Sequence, residues 1–312
     1  MESVVFSPGL EVLALAILMD ILIGEPPGTI HPVVWIGKVI KYLKNLSFGN
    51  KRMFGILMVI ITAGISLLAG AVVVIESSYI SETFALLLAA YFLKSTFSFR
   101  MLLTSARHIK SQLESGTLKN AKKDLKALVS RDTTNLDKSH MTSAVIESTS
   151  ENFVDGIVSP LFFYLIFGLP GALVYKAVNT LDSMIGYRNK EFIELGWASA
   201  RLDDILNWIP ARLSLIFIFA ASIFTGSPIN AVKTCIRDRD QTASPNSGWP
   251  MAATAGSLGV RLEKKGHYIL GGEFREPVPE DIERGSKLVG IATIFLFASV
   301  FAGVYVIRIL IW

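Results

Sequence analysis

From Met53 to Ile75 the chain runs for 23 residues without a charged side chain. About 20 apolar residues cross a hydrocarbon core about 30 Å thick, so this run is long enough to span a bilayer. Leu288 to Trp312 repeats the pattern, broken only by Arg308. Composition agrees. Of the 312 residues 51% are hydrophobic and 18% charged, whereas a soluble domain carries about 25% charged residues. So little charge cannot cover a soluble surface. The expected fold class is all-α, a polytopic membrane protein of about five to six transmembrane or re-entrant helices with cytoplasmic loops, forming a single domain over 1–312.

Four further apolar stretches are interrupted. Leu10 to Ile23 contains Glu11 and Asp20, Thr83 to Leu103 contains Lys94 and Arg100, and Ile209 to Thr225 contains Pro210 and Arg212. Ile157 to Val178 is broken by Gly168-Leu169-Pro170-Gly171. Helix breaks and ionisable groups persist at membrane depth where protein or water surrounds them. The break suggests a re-entrant 157–178 stretch, or a 179–208 segment that folds back into the protein.

Lys and Arg concentrate in segments 24–52, 104–140 and 227–287, while residues 76–82 carry none. The positive-inside rule places the three basic segments in the cytoplasm. Six spans would then leave the polar 179–208 segment outside, unless the 157–178 stretch is re-entrant or 179–208 folds back. A net charge of +4 is too small to suggest a nucleic-acid partner. Cys235 is the single cysteine, so no intrachain disulfide and no CxxC motif exist. The four histidines are dispersed and form no HExxH. The N-terminus lacks a basic stretch before its apolar run and is expected to be retained rather than cleaved. Residues 117–130 read as a surface helix capped by Thr117, with Ala121, Leu125, Leu128 and Val129 on one face.

Four blocks could carry chemistry. In DILIGEPPGTIHPVVWIG (20–37), Gly24 and Pro26-Pro27 force a turn that gathers Asp20, Glu25 and His31 near one interface. In ESTSENFVDGIVSP (147–160), Glu147, Glu151 and Asp155 fall at i, i+4 and i+8, within about an 80° arc of a helix. Such like charges repel unless a cation sits among them, although an acidic, solvated helix start is the plainer reading. The densest block joins NTLDSMIGYR (179–188) to ARLDDILNWIPARLS (200–214). There Asn179 and Asp182, Asp203 and Asn207, and Asp204 and Asn207 stand at helical spacings, beside Arg188, Arg201 and Arg212. Guanidinium forks suit phosphate or carboxylate, and an ion-pair network is the structural alternative. The fourth, SPNSGWP (244–250), reads as a tight turn, followed by a small-residue run that permits close helix approach.

Together these blocks resemble the CobD/CbiB family, the adenosylcobinamide-phosphate synthases of cobalamin biosynthesis. The likeness is carried by Asp20 with Gly24-Glu25-Pro26 and His31-Pro32, and by Ser150-Glu151-Asn152 with Asp155-Gly156 and Pro160-Leu161. It continues through Tyr175, Asn179, Leu181-Asp182-Ser183-Met184 and Gly186-Tyr187-Arg188, then Arg201-Leu202-Asp203-Asp204, Asn207 and Pro210-Ala211-Arg212, and ends on Ser244-Pro245-Asn246 with Gly248-Trp249-Pro250. The blocks keep their order from about residue 15 to about 290. Glu25 stands where Asp is common, and Thr242 where a histidine often precedes the turn.

The resemblance implies a multi-pass cell-membrane enzyme that joins 1-amino-2-propanol O-phosphate, or the free amino alcohol, to a propionate of adenosylcobyric acid. ATP and Mg²⁺ are expected to drive it at a cytoplasmic face, with other corrinoid-assembly enzymes as potential partners and the oligomeric state left open. An acyl phosphate is the simplest activation of a carboxylate, and migrating phosphoryl groups need cations. No GxxxxGK[ST] loop is present, so nucleotide binding must use another arrangement. Glu147, Glu151, Asp155, Asp182, Asp203 and Asp204 form the pool of Mg²⁺ ligands. Asp203 and Asp204 are also placed in catalysis, with His31 the candidate base. Arg188, Arg201 and Arg212 are candidate phosphate clamps, and Asn152, Asn179, Asn207 and Asn246 candidate contacts to the amide-rich corrinoid rim. Two other classes compete. A UbiA-like prenyltransferase predicts two related Asp-rich motifs, and a transporter predicts symmetry between halves. Here the Asp-rich blocks are dissimilar and no internal repeat is found.

Overall fold

A computed structural model describes residues 7–129, 131–187 and 189–311, without the side chains of residues 76–78 and 311. In chain order its helices begin with α1 (Leu10–Leu22), α2 (Pro32–Leu46), α3 (Lys51–Ile80), α4 (Glu82–Lys94), α5 (Phe99–Glu114), α6 (Leu118–Leu125) and α7 (Lys138–Phe153). A π turn, Val154–Val158, leads into α8 (Ser159–Ile185), α9 (Trp197–Leu206), α10 (Trp208–Thr225), α11 (Pro228–Asp238) and α12 (Gly248–Leu258). The short antiparallel hairpin β1 (Leu262–Lys264) and β2 (Tyr268–Leu270) precedes α13 (Glu280–Ile311).

Among the described residues five helical stretches are long and apolar enough to cross a membrane: Lys51–Ile75, Glu82–Glu114, Lys138–Ile185, Trp208–Thr225 and Glu280–Leu310. The chain is a helical, polytopic membrane protein. A sixth stretch, Leu10 to Ile23, falls short, because the 13 residues of α1 extend about 20 Å. Gly24, at φ 78°, and the two prolines after it stop that helix. The Thr83 to Leu103 stretch divides into α4 and α5. Ser95 and Thr96 turn their hydroxyls onto the carbonyls of Phe92 and Leu93, each at 2.7 Å, and close α4 there.

Tertiary contacts separate the chain into two compact units. The first comprises Met1–Ser98, Ser159–Asn207 and Ala298–Trp312. In it α3 runs along α8, α1 and α3 both pack on α4, and α9 lies against α8 and α3. Ile40, Leu43, Phe54, Met58, Leu181 and Ile185 form its buried centre. Small residues let these backbones close. A Cβ on Gly55 would lie 2.1 Å from the Leu195 carbonyl oxygen, and one on Gly70 would lie 2.7 Å from Pro170 Cα. The expected break in 157–178 falls inside α8, where Gly168 adopts φ 61° and ψ −157°, conformations that glycine alone adopts freely.

The second unit comprises Phe99–Val158 and Trp208–Phe297. Its centre is α7, in which every residue from 141 to 150 is buried. Asp137 caps α7 by accepting from the His140 amide at 2.9 Å. Leu113, Leu125, Met141, Val145, Met251, Leu262 and Leu270 pack around it. The expected surface helix over 117–130 is shorter: α6 ends at Leu125, and Ser130 lies outside the described residues. The Thr117 side chain makes no capping bond and meets Ser115 Oγ at 2.5 Å instead.

Candidate functional site

The densest polar arrangement of the first unit lies where α9 packs on α8. Gly196 makes that approach feasible, since a Cβ there would sit 1.8 Å from the Ile185 carbonyl oxygen. Asp203 and Asn207 are one helical turn apart. The Asn207 amide donates to Asp203 Oδ2 at 2.9 Å, and the Asn179 amide donates to Oδ1 at 3.3 Å. Lys176 Nζ in turn donates to Asn179 Oδ1 at 3.3 Å. The Asn207 carbonyl oxygen accepts from Ser159 Oγ at 2.6 Å and from the Tyr175 hydroxyl at 2.9 Å. Those two donors fix which way the Asn207 amide points. Tyr175 is held in turn by stacking on Phe163, 5.2 Å between centroids. Burial, reinforced by the neighbouring Asp204 charge, pushes the Asp203 carboxyl above the usual range against the pull of the two amides and Lys176.

Next to this network is a pocket of about 260 Å³ lined by Tyr187, Trp197, Arg201 and Asp204, with Gly186 and Gly196 in its wall. Arg201 is exposed and, among the described residues, pairs with no carboxylate. The structure therefore brings Asn179, Arg201, Asp203, Asp204 and Asn207 into one region. Asp182 lies at the end of α8, where a Cβ on Gly186 would fall 1.9 Å from its Oδ1. Arg188 lies outside the described residues.

The DILIGEPPGTIHP block forms a second cluster in the same unit. Lys94 Nζ lies 2.7 Å from Glu25 Oε1 and 3.4 Å from Asp20 Oδ1, and both Lys94 and Asp20 are 2% exposed or less. His31 caps α2, accepting from the Val33 amide on Nδ1 at 3.1 Å, which leaves Nε2 as the protonated nitrogen that meets Glu25 Oε2 at 2.9 Å. Both ring nitrogens of this candidate base are thus engaged. Burial raises the Glu25 carboxyl, but hydrogen bonds from His31, Lys94 and Ser98 outweigh it and hold it at about 2.

In the second unit Glu147 is 2% exposed and saturated. Its Oε1 accepts from Ser143 Oγ at 2.6 Å, and its Oε2 accepts from Arg131 and, at 2.6 Å, from the Tyr268 hydroxyl. The Glu263 amide donates to the same Ser143 oxygen at 2.8 Å. This acid fastens the hairpin to α7, which differs from both the solvated and the metal-binding readings of the block. A π turn at Val154–Val158 follows α7, so the step from Glu151 to Asp155 is no longer that of a regular α-helix. Asn152 turns back on its own helix, donating to the Ser148 carbonyl at 2.9 Å. Among the described residues no three His, Cys, Asp or Glu side chains group as a metal site.

Arg212 and Asn246, both expected from the sequence, do meet. Arg212 Nη1 donates to the Trp208 carbonyl at 2.6 Å and reaches Asn246 Oδ1 at 3.5 Å. The partners that build these arrangements were not read from the sequence: Ser159, Tyr175, Lys176 and Lys94 in the first unit, and Arg131, Trp208, Arg239, Trp249 and Tyr268 in the second. Of these, Ser159, Tyr175, Trp208 and Trp249 stood within the quoted motifs without a role, and Lys94 stood only as a charge interrupting its apolar stretch.

The family model described as CobD/Cbib protein matches residues 13–297. A probable cobalamin biosynthesis protein CobD of Methanothrix thermoacetophila is 45% identical, covering 91% of this chain and 93% of its own. The protein of the same description from Methanothermobacter thermautotrophicus is 39% identical over 95% and 98%. The cobalamin biosynthesis protein CobD of Dehalococcoides mccartyi is 41% identical over 90% and 92%. No solved structure matches the chain.

Proposed function

Because the chain belongs to the CobD/CbiB family of cobalamin-biosynthesis proteins, we propose that it is an adenosylcobinamide-phosphate synthase. The reaction joins the amine of 1-amino-2-propanol O-phosphate, or of the free amino alcohol, to a propionate carboxylate of adenosylcobyric acid, and ATP drives it. The observation that carries this reading is the Asp203 carboxylate, held by two amides beside a pocket that also contains Asp204 and Arg201. That pocket, at about 260 Å³, is below the roughly 300–1,000 Å³ of sites for drug-sized ligands. Its size suits an amino-alcohol phosphate or the phosphate end of a nucleotide, leaving the corrinoid ring outside.

Mg²⁺ binds through one or two carboxylates together with substrate phosphates and water, so it needs no preformed triad. The adjacent Asp203 and Asp204 fit that donor set, with Asp203 pre-oriented by Asn179 and Asn207. When bound, the ion supplies positive charge to the migrating phosphoryl group. The protein's own contributions are separate. Arg201 offers a planar fork to an anion in the pocket. Asn207, itself oriented by Ser159 and Tyr175, keeps Asp203 in one rotamer. Asp204 lines the pocket, where a carboxylate can take the proton that the amine must lose before attack.

The active face is cytoplasmic in this reading. The positive-inside rule assigns segment 24–52 to the cytoplasm. Lys44 of that segment pairs at 2.9 Å with Glu191, next to the pocket residues Phe192 and Ile193, so the broken 138–185 stretch must return to the side it leaves. Other corrinoid-assembly enzymes are its expected neighbours in the membrane. The test is amide formation from adenosylcobyric acid by purified protein in detergent, with corrinoid binding followed by calorimetry. ATP-dependent product supports the assignment. Absence of both corrinoid binding and product from folded protein overturns it.

A further inference from the structure

The SPNSGWP turn places Trp249 between two arginines that the synthase reading leaves without a shared role. Arg239 follows α11 directly, and its guanidinium lies 4.1 Å from the centroid of the Trp249 ring. Arg212, one turn into α10, lies 4.6 Å from the centroid of the same ring and 4.1 Å from that of Trp208. The turn is built for this approach. A Cβ on Gly248 would fall 1.9 Å from the Arg239 carbonyl oxygen, so only glycine lets the start of α12 close on Arg239. Trp249 Nε1 donates to the Pro245 carbonyl at 3.2 Å, and the Asn246 amide donates to Ser244 Oγ at 3.2 Å. The indole is thereby fixed while both guanidiniums stack on it.

Two like charges gathered on one ring repel each other, and little in the protein offsets them. Among the described residues Arg212 pairs with no carboxylate; its contacts are the Trp208 carbonyl, Asn246 Oδ1 and the two rings. Arg239 meets only Asp240, at 3.5 Å, and Asp240 is 85% exposed. That distance is long for a hydrogen bond, and the Arg239 Nε is buried without an acceptor. Stacking restrains each planar fork and leaves donor edges for an oxyanion. Two guanidiniums match the charge of a phosphate dianion and can each bind it through paired N–H groups.

We propose that Arg212 and Arg239, held on Trp249, form a binding site for a phosphate group. The proposal deepens the synthase reading and rests on it for the choice of phosphate, which both ATP and the phosphorylated amino alcohol carry.

The experiment uses full-length protein in detergent at fixed ionic strength. Calorimetry follows binding of inorganic phosphate, ATP, 1-amino-2-propanol O-phosphate and the free amino alcohol. Arg212→Gln and Arg239→Gln are each expected to weaken phosphate binding by about tenfold or more, the range of a lost charged hydrogen bond, and to leave binding of the free amino alcohol unchanged. The phosphorylated ligand that loses affinity in both variants identifies the source of the phosphate. A second measurement needs no variant. Phosphate should protect Arg212 and Arg239 of the wild-type protein from phenylglyoxal, with the modified sites mapped by mass spectrometry. Equal modification with and without saturating phosphate, or wild-type phosphate affinity in both folded variants, overturns the site. Intact phosphate binding by protein that neither binds corrinoid nor forms the amide supports the site while removing the synthase reading.

Discussion

Asn207 and Asp203 are joined across one turn of α9 by a 2.9 Å hydrogen bond whose direction is set from outside that helix. Ser159 and Tyr175 both donate to the Asn207 oxygen, so its NH₂ group can only face the carboxylate. Asp203→Asn removes the charge and keeps the shape. Amide formation is expected to fall by about a hundredfold or more, from loss of the negative charge offered to the cation. That is a larger loss than the stability given up on melting in detergent, about 1–3 kcal/mol, where the new NH₂ meets the Asn179 or Asn207 amide. A parallel loss of both would instead make Asp203 a folding residue. Tyr175→Phe leaves Ser159 in place and should cost only about 0.5–1.5 kcal/mol.

Lys94 neutralises two carboxylates in a nearly water-free setting. Removing one partner of a buried pair costs about 3–5 kcal/mol, because the remaining charge is stranded. Lys94→Met should therefore melt well below the wild type. The triple change Lys94→Met, Asp20→Asn, Glu25→Gln should recover most of that loss, and failure to recover would show that packing of the lysine chain, not charge, is what matters.

Acid sensitivity follows from Glu25. Its carboxyl is lowered from 4.5 to about 2, so the folded state prefers the ionised form. The resulting stability is fully present above about pH 4.5 and is lost as pH falls toward 2. Melting curves taken between these values should drop more steeply for the wild type than for Glu25→Gln. Superimposable curves would sink the assignment.

Gly196→Ala places a Cβ 1.8 Å from the Ile185 carbonyl oxygen. Backbone must move to admit it, at a cost of about 1–3 kcal/mol. Because α9 then shifts from α8, substrate affinity should fall with stability, whereas Gly64→Ala, in open space, should change neither.

Cysteines at Ser115 and Lys265, both exposed, in a Cys235→Ala background, test the orientation. Labelling is expected only after an impermeant reagent is admitted to the cytoplasm, and labelling of intact cells from outside would reverse the orientation.

Hydropathy alone located the spans, and Gly168-Leu169-Pro170-Gly171 marked the break in α8. Length corrected the reading of Leu10 to Ile23, since apolarity does not say how far a helix continues past Gly24. Spacing also found the Asp203–Asn207 pair, because i, i+4 residues meet on any helix. It could not supply Ser159 and Tyr175, which come from 48 and 32 residues away along the chain. Nor could it separate a carboxylate that awaits a ligand from one already satisfied. Glu147 has the same local spacing as a metal ligand, and its partners come from distant segments. The Arg239–Trp249 stack was invisible for the same reason, since it depends on the close approach that Gly248 allows.

The fastening of Glu147 also has a history in time. Its partner Tyr268 follows 121 residues later in the chain, while Arg131 precedes it by 16. At a synthesis rate of about 5–20 residues per second, Tyr268 emerges about 6–24 s after Glu147. During nascent-chain insertion the acid has Arg131 and Ser143 at hand, and the second unit closes only when the hairpin arrives. Synthesis order thus makes Arg131 the early partner of Glu147 and Tyr268 the late one.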